Sequence, residues 1–287
     1  MSAFVSGIEN LIKAVLPQPV VQGIRAYRHA ANIRRYEASV RRRALREWRL
    51  MLSNWRKEAR AMQARGGAAR AHGRILVFPS DPGAVVGSRG DDAMITTVLE
   101  ATRPPSSGVV VDMFCDAGGD KVVKSMGFNP IPFPSQGDFP AALAGLLRER
   151  SYDQYIGVGA DIIDSRFGVR IPASMLIAAD LAARAGIPAT ILGSSFSEAP
   201  MPQLAAVFRQ LDARVHLNIR DPISLRRVVA FAPVQPRLVA DAAFLLKPGR
   251  ADAATVEWIQ RQRTMGRRVI GVNAHPMLVP NADASWS

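Results

Sequence analysis

The chain has 287 residues, 48% hydrophobic and 21% charged, the composition of a globular protein with material for a large core. Its one cysteine, Cys115, excludes an intramolecular disulfide; no Cys/His cluster has zinc spacing, and no apolar run reaches the roughly 20 residues that span a bilayer. The net charge of +13 is lopsided: residues 1–74 hold 16 of the 37 Lys and Arg and 4 of the 24 Asp and Glu, a net of +12, so a near-neutral body carries a basic arm.

The first residues, MSAFVSGIENLIKAVLPQP, have Glu9 and Lys13 inside their apolar stretch and no small-residue cleavage site. That argues against a signal peptide and for a cytoplasmic chain. From Ile24 to Arg65 there is no Gly or Pro, and Ile33, Tyr36, Val40, Ala44, Trp48, Leu52, Trp55, Ala59 and Met62 recur every three or four residues. The spacing predicts one long amphipathic helix. Arg34, Arg35, Arg41, Arg42, Arg46, Arg49, Arg56 and Lys57 fall largely outside its stripe. Either the stripe packs on the body or on a second copy, or residues 24–65 lie on an anionic membrane surface at the inner face of the cell. Nucleic acid is a third partner, without a recognised motif to support it. Residues 66–73, GGAARAHG, read as a joint, so the arm spans residues 1–73.

Beyond the joint, apolar runs alternate with helical patterns. Strands are expected at 74–78, 108–114, 129–133, 152–159, 188–194, 214–220 and within 236–246; helices at 91–103, 120–127, 139–150, 172–186, 201–213 and 221–231. This alternation predicts an α/β domain over 74–250, a Rossmann-like, mostly parallel sheet with helices on both faces. Ligands of such sheets sit at the carboxyl ends of the strands. Residues 251–266 read as a further helix and 267–278 as a strand that opens a second α/β unit, giving a third segment, 251–287.

The loops at those strand ends carry the candidate chemistry. In GSRGDDAMI, Gly87 and Gly90 let backbone approach a ligand. Asp91 and Asp92 suit sugar hydroxyls better than phosphate, or simply favour the start of their helix. Asp161 and Asp164 are candidates to bind hydroxyls or act as a general base, or to cap a turn. Ser195 belongs to GSSFS, which is not a G-x-S-x-G nucleophile elbow, so it reads as a hydrogen-bonding loop residue. Arg220 and Asp221 are candidates at a further strand end, Arg220 being the best-placed body residue for a carboxylate or phosphate, unless it pairs with Asp221 or another carboxylate. Asp241 follows the last strand as a cap or ligand contact. His216 reads as core, and Cys115 has no basic neighbour to activate it.

Six segments occur in order: GSRGDDAMI, GVGADIIDSRFG, ILGSSFSEAP, LNIRDPISLRRV, LVADAAFLL and VIGVNAHPML. Together they resemble the polysaccharide pyruvyl transferase family across residues 74–278. One motif departs: the family shows a glycine triplet where this chain has Gly157-Val158-Gly159-Ala160. The resemblance implies a GT-B-type architecture of two Rossmann-like halves facing a cleft, of which this chain carries the first half and the first strand of the second. It implies transfer of the pyruvyl group of phosphoenolpyruvate to two hydroxyls of a surface glycan or lipid-linked sugar, forming a cyclic ketal. Phosphoenolpyruvate is then the donor substrate, with no cofactor and no metal. Asn273 and His275 would face the cleft, His275 as a proton donor, or be exposed on a frayed end where the partner half is missing. The residues that bind phosphoenolpyruvate would lie mostly in the second half, so activity is expected to need a homo-oligomer or a further domain. A non-catalytic glycan- or membrane-binding module and a glycosyltransferase using a nucleotide sugar stand beside this reading.

Overall fold

The computed structural model describes residues 18–63, 73–83, 85, 89–102, 108–166, 168–247, 249 and 252–271, with side chains in the first helix from Ala38 onward. Two compact units form, Met1–Leu246 and Lys247–Ser287. The first holds a long helix α1 (Gln18–Gln63) and a seven-stranded sheet. The strands are β1 (Arg74–Phe78), β2 (Val110–Cys115), β3 (Asn129–Pro132), β4 (Gln154–Gly157), β5 (Ala189–Ser194), β6 (His216–Ile219) and β7 (Arg237–Leu238). They are joined through α2 (Arg89–Thr102), α3 (Asp120–Ser125), α4 (Phe139–Glu149), α5 (Arg170–Arg184), α6 (Ala205–Phe208) and α7 (Pro222–Phe231). The second unit contributes α8 (Ala253–Thr264).

All strand pairs are parallel, in the order β3-β2-β1-β4-β5-β6-β7. The fold is therefore the expected Rossmann-like α/β sheet. Strands flanked by helices on both faces must be apolar on both, and β1 shows it. Leu76 and Phe78 enter one core with α1, α4, α5 and α7, while Ile75 and Val77 enter the other with α2 and α3. The order reverses between β1 and β4, which makes their carboxyl ends the topological switch point.

Several elements are shorter than their sequence patterns. The segment 201–213 is a 3-10 turn (Pro202–Leu204) and the single turn of α6, and 236–246 yields β7 and a second 3-10 turn, Ala242–Leu245. Because β7 pairs only with Asn218 and Ile219, the start of β6 is uncovered, and His216 is exposed rather than in the core. Of the strand expected at 267–278, residues 267–271 are irregular and the rest lies outside the described residues.

The amphipathic helix forms as its periodicity predicts, but the fate of its apolar stripe is split. Met51, Trp55, Ala59 and Met62 are buried in the main core, on α4 and α5. Trp55 Nε1 donates to Asp180 Oδ2 at 2.7 Å, and Glu58 pairs with Arg148. Asn54 and Glu47 bind the carbonyl and amide of Gly137, whose bare Cα lets α1 approach: a Cβ there would lie 2.7 Å from Leu50. Residues 47–63 thus belong to the same packed unit as the sheet, and their apolar face is not available to lie in a bilayer. From Ala38 to Arg46 every residue is exposed, Val40 among them; the side chains of Ile33 and Tyr36, and residues 66–72, lie outside the described residues. Helix α5 is buried from Pro172 to Ala183 because the sheet covers one side and α1 the other. Among the described residues no helix is long and apolar enough to cross a membrane.

Candidate functional site

The loops after β1 and β4 meet the sheet at its switch point. Both are held under backbone tension. Among the described residues three non-glycines have positive φ, Val85 (59°), Ala160 (44°) and Ser165 (68°), and all three lie in these two loops. Left-handed backbone costs an L-residue roughly 1–2 kcal/mol, so it persists only where surrounding contacts impose it. Val85 is imposed by packing: it is fully buried against Gly119, where a Cβ would come within 2.6 Å of its Cγ2, and its amide donates to Asp81 O. Ala160 ends the run Gly157-Val158-Gly159-Ala160 in a conformation that glycine favours. The two preceding glycines are sterically required. A Cβ on Gly157 would meet Ile191 Cδ1 at 2.7 Å, and one on Gly159 would meet Ser194 Oγ at 1.8 Å.

The two carboxylates of the β4 loop part company. Asp164 is buried; its Oδ1 accepts from the Arg166 amide at 2.8 Å and its Oδ2 from the Ser197 amide at 2.9 Å. It staples the β4 loop to the β5 loop, which is the turn-capping alternative for this residue. Asp161 is exposed and, among the described residues, has no hydrogen-bond or ion-pair partner. Gly90, Asp91 and Asp92 form the first turn of α2. Asp91 is already engaged, and Asp92 Oδ1 accepts weakly from Thr96 Oγ1 at 3.4 Å. Gly87, Asn273 and His275 lie outside the described residues.

Farther along the same rim lies Arg220. Its Nε donates to Ser195 Oγ at 2.8 Å and its Nη1 to Asp241 Oδ2 at 2.7 Å. The carboxylate partner is thus Asp241, not the adjacent Asp221. Asp221 instead caps α7 by accepting from the Ser224 amide, and hydrogen bonds from Ser224 hold its carboxyl below the usual range. Asp241 also caps the 3-10 turn Ala242–Leu245, which packs against α2. Glycine at 193 makes this crowding feasible: a Cβ there would sit 3.2 Å from both Arg220 Cβ and Ala240 O. Arg220 directly follows β6, and the loop that holds Asp161 follows β4, two strands away in the sheet. A guanidinium has five N–H donors, so two engaged ones leave capacity for an anion. Cys115 is buried, and burial pushes its thiol pKa up, consistent with an inert core thiol.

The buried polar atoms that lack a protein partner were not anticipated. Among the described residues these are Ser80 Oγ, Gln136 Nε2, Ser165 Oγ, Arg170 Nε and Ser174 Oγ. Ser80 follows β1 and Ser165 lies in the β4 loop, so the two strained loops also carry unsatisfied hydroxyls. Arg170 opens α5, stacks 4.4 Å over the Phe133 ring and donates Nη2 to Pro134 O; Ser174 is one turn further on. The three hydroxyls can donate or accept, whereas Gln136 Nε2 and Arg170 Nε can only donate, and buried water is the natural complement of all five. Only Ser80 carried an advance signal, as a polar residue two places beyond an apolar strand. Replacing Ser165 with glycine is expected to stabilise the free protein by about 1 kcal/mol, a Tm rise of about 2–4 °C, since it removes both strain and an unsatisfied hydroxyl. A fall in Tm would mean that the Ser165 hydroxyl is satisfied in solution.

Among the described residues no group of three or more His, Cys, Asp or Glu is arranged to hold a metal ion. Compared with protein-family models, curated proteins and solved structures, the chain matches none.

Proposed function

We propose that this chain is the acceptor-side half of a pyruvyltransferase of the polysaccharide pyruvyl transferase kind, moving the pyruvyl group of phosphoenolpyruvate onto two sugar hydroxyls. In that reaction two hydroxyl oxygens bond to C2, one hydroxyl proton goes to the methylene carbon, and the C2–O bond to phosphate breaks so that the other proton leaves with inorganic phosphate. The observation that carries the reading is the pairing of chemistries on one rim. The loops after β1 and β4 carry the unsatisfied hydroxyls of Ser80 and Ser165 and the unpartnered carboxylate of Asp161, and a guanidinium, Arg220, follows β6 at the same end of the parallel sheet. Asp161 takes the part of hydroxyl binder and general base. Asp91 and Asp92 orient the sugar, and Arg220, steadied by Ser195 and Asp241, meets the donor carboxylate or phosphate. Positioning two hydroxyls against one carbon supplies much of the rate. The GT-B architecture, with a second Rossmann-like half closing the cleft, belongs to this proposal.

A second reading, a glycan-binding module without transfer, is favoured by one observation: Arg220 is already neutralised by Asp241. Calorimetry with phosphoenolpyruvate and a phosphate-release assay with a glycan acceptor separate the two. The enzyme reading expects phosphoenolpyruvate to bind about 100-fold more weakly to Arg220→Ala, and Asp161→Asn to slow acceptor-dependent phosphate release by 100-fold or more, in the range of general-base loss. Phosphoenolpyruvate affinity that is indifferent to Arg220→Ala would remove Arg220 from the donor site. Glycan binding that needs Asp161, with no phosphoenolpyruvate binding and no phosphate release even when a second Rossmann-like half is supplied, would establish the module.

A further inference from the structure

Packing assigns one side of α1 to the body and leaves the other bare. Met51, Trp55, Glu58 and Met62, with Ala59 beside Glu58, are the buried positions, the first four spaced by four, three and four residues. Directly opposite, with the same spacing, run Arg42, Arg46, Arg49, Ser53, Arg56 and Arg60, with Lys57 beside them, all exposed. At about 1.5 Å per residue this is a straight cationic ridge of about 27 Å. The acidic residues within 38–63 do not neutralise it, because both turn inward: Glu47 accepts from the Gly137 amide and Glu58 pairs with Arg148. Arg56 also donates to Gln210 Oε1 at 3.1 Å, which fixes one edge of the ridge to the body. An open depression of about 560 Å³, lined by Arg49, Leu52, Ser53, Arg56, Lys57 and Arg60, interrupts the arginines at Ser53.

We propose that this ridge docks the protein onto the anionic headgroups of a lipid bilayer, by charge alone and without insertion. A convex line of cations on a rigid helix meets a flat anionic leaflet along its whole length. The apolar stripe that insertion would require is buried from Met51 to Met62. Single-stranded nucleic acid is a poorer complement, since stacking needs exposed aromatics. Trp55 is buried and bound to Asp180, Trp48 packs against the core, and Asn54 is spent on Gly137.

The test is co-sedimentation of the full chain with phosphatidylcholine vesicles, with and without phosphatidylserine, at low and high salt. Binding is expected only with phosphatidylserine and to fade at high salt. Each basic residue near the leaflet contributes about a 5-fold factor, so the triple change Arg42→Gln, Arg46→Gln and Arg49→Gln weakens binding about 100-fold with unchanged thermal unfolding. Removing the same charge from the second unit, through Arg263→Gln, Arg267→Gln and Arg268→Gln, leaves binding within a few-fold of the parent. The proposal fails if phosphatidylserine vesicles do not bind, if the two triple variants weaken binding equally, or if duplex DNA binds the ridge more tightly than the vesicles do.

Discussion

Replacing Trp55 with alanine is expected to cost about 3–5 kcal/mol in urea unfolding, the range for deleting a large buried aromatic. The ring is 1% exposed, wedged where α1 crosses α5. Its loss opens a cavity and strips Asp180 of one donor, leaving the carboxylate to Arg184 Nε and the Asp212 amide. Typical domains have only about 5–15 kcal/mol to lose, so the variant should be visibly fragile. Trp55→Phe separates the two contributions: it keeps most of the packing and forfeits the hydrogen bond to a charged acceptor, about 1.5–3 kcal/mol. A cost below about 1 kcal/mol for the alanine variant would show that α1 is not docked in solution. The cationic ridge would then have no fixed orientation.

The second large effect is expected at the opposite edge of the sheet. Asp112 is fully buried on β2 and receives Arg74 Nη1, Arg150 Nη1, Asn129 Nδ2 and the Tyr152 hydroxyl. It ties β1, β2, β3 and the approach to β4 together. Burial alone would raise its pKa, but the hydrogen bonds from Tyr152, Asn129, Arg150 and Arg74 together hold the carboxyl below its usual range. A depressed folded pKa means that this stabilisation is complete above the unfolded value of about 3.9 and is lost as pH falls through the folded value. Asp112→Asn is expected to cost about 3 kcal/mol near neutral pH. That is the low end for breaking a buried ion pair, because Arg74 and Arg150 are partly exposed. The gap between parent and variant should narrow as the pH is taken well below 4. Equal unfolding of the two proteins at neutral pH would refute the assignment.

Much of the fold was legible because its signals are local. The apolar runs RILVF and YDQYIGVG, punctuated by glycine and proline, specify strands wherever they end up. Alternation with helices leaves little choice but a parallel sheet. Overestimates came where a pattern had no tertiary support: 201–213 has helical composition but supports only two short turns. The candidate site was legible as a set of loops and illegible as a set of roles. Asp161 and Asp164 are three residues apart and chemically identical. One is free and the other consumed, because the Ser197 amide reaches Asp164 across a neighbouring strand end. Arg220 found its carboxylate at Asp241, twenty-one residues on, rather than next door.

The linear order of residues determined the element types, the parallel α/β class, the long amphipathic helix and the carboxyl-end loops to inspect, since helix and strand periods and chain breaks are properties of neighbours. Tertiary structure alone decided what covers the helix stripe, which carboxylate stays free, where backbone is strained and which hydroxyls go unsatisfied. Those outcomes depend on distant groups competing for the same donors and the same space. A pattern of apolar positions declares that a face will be buried, and carries no record of its partner.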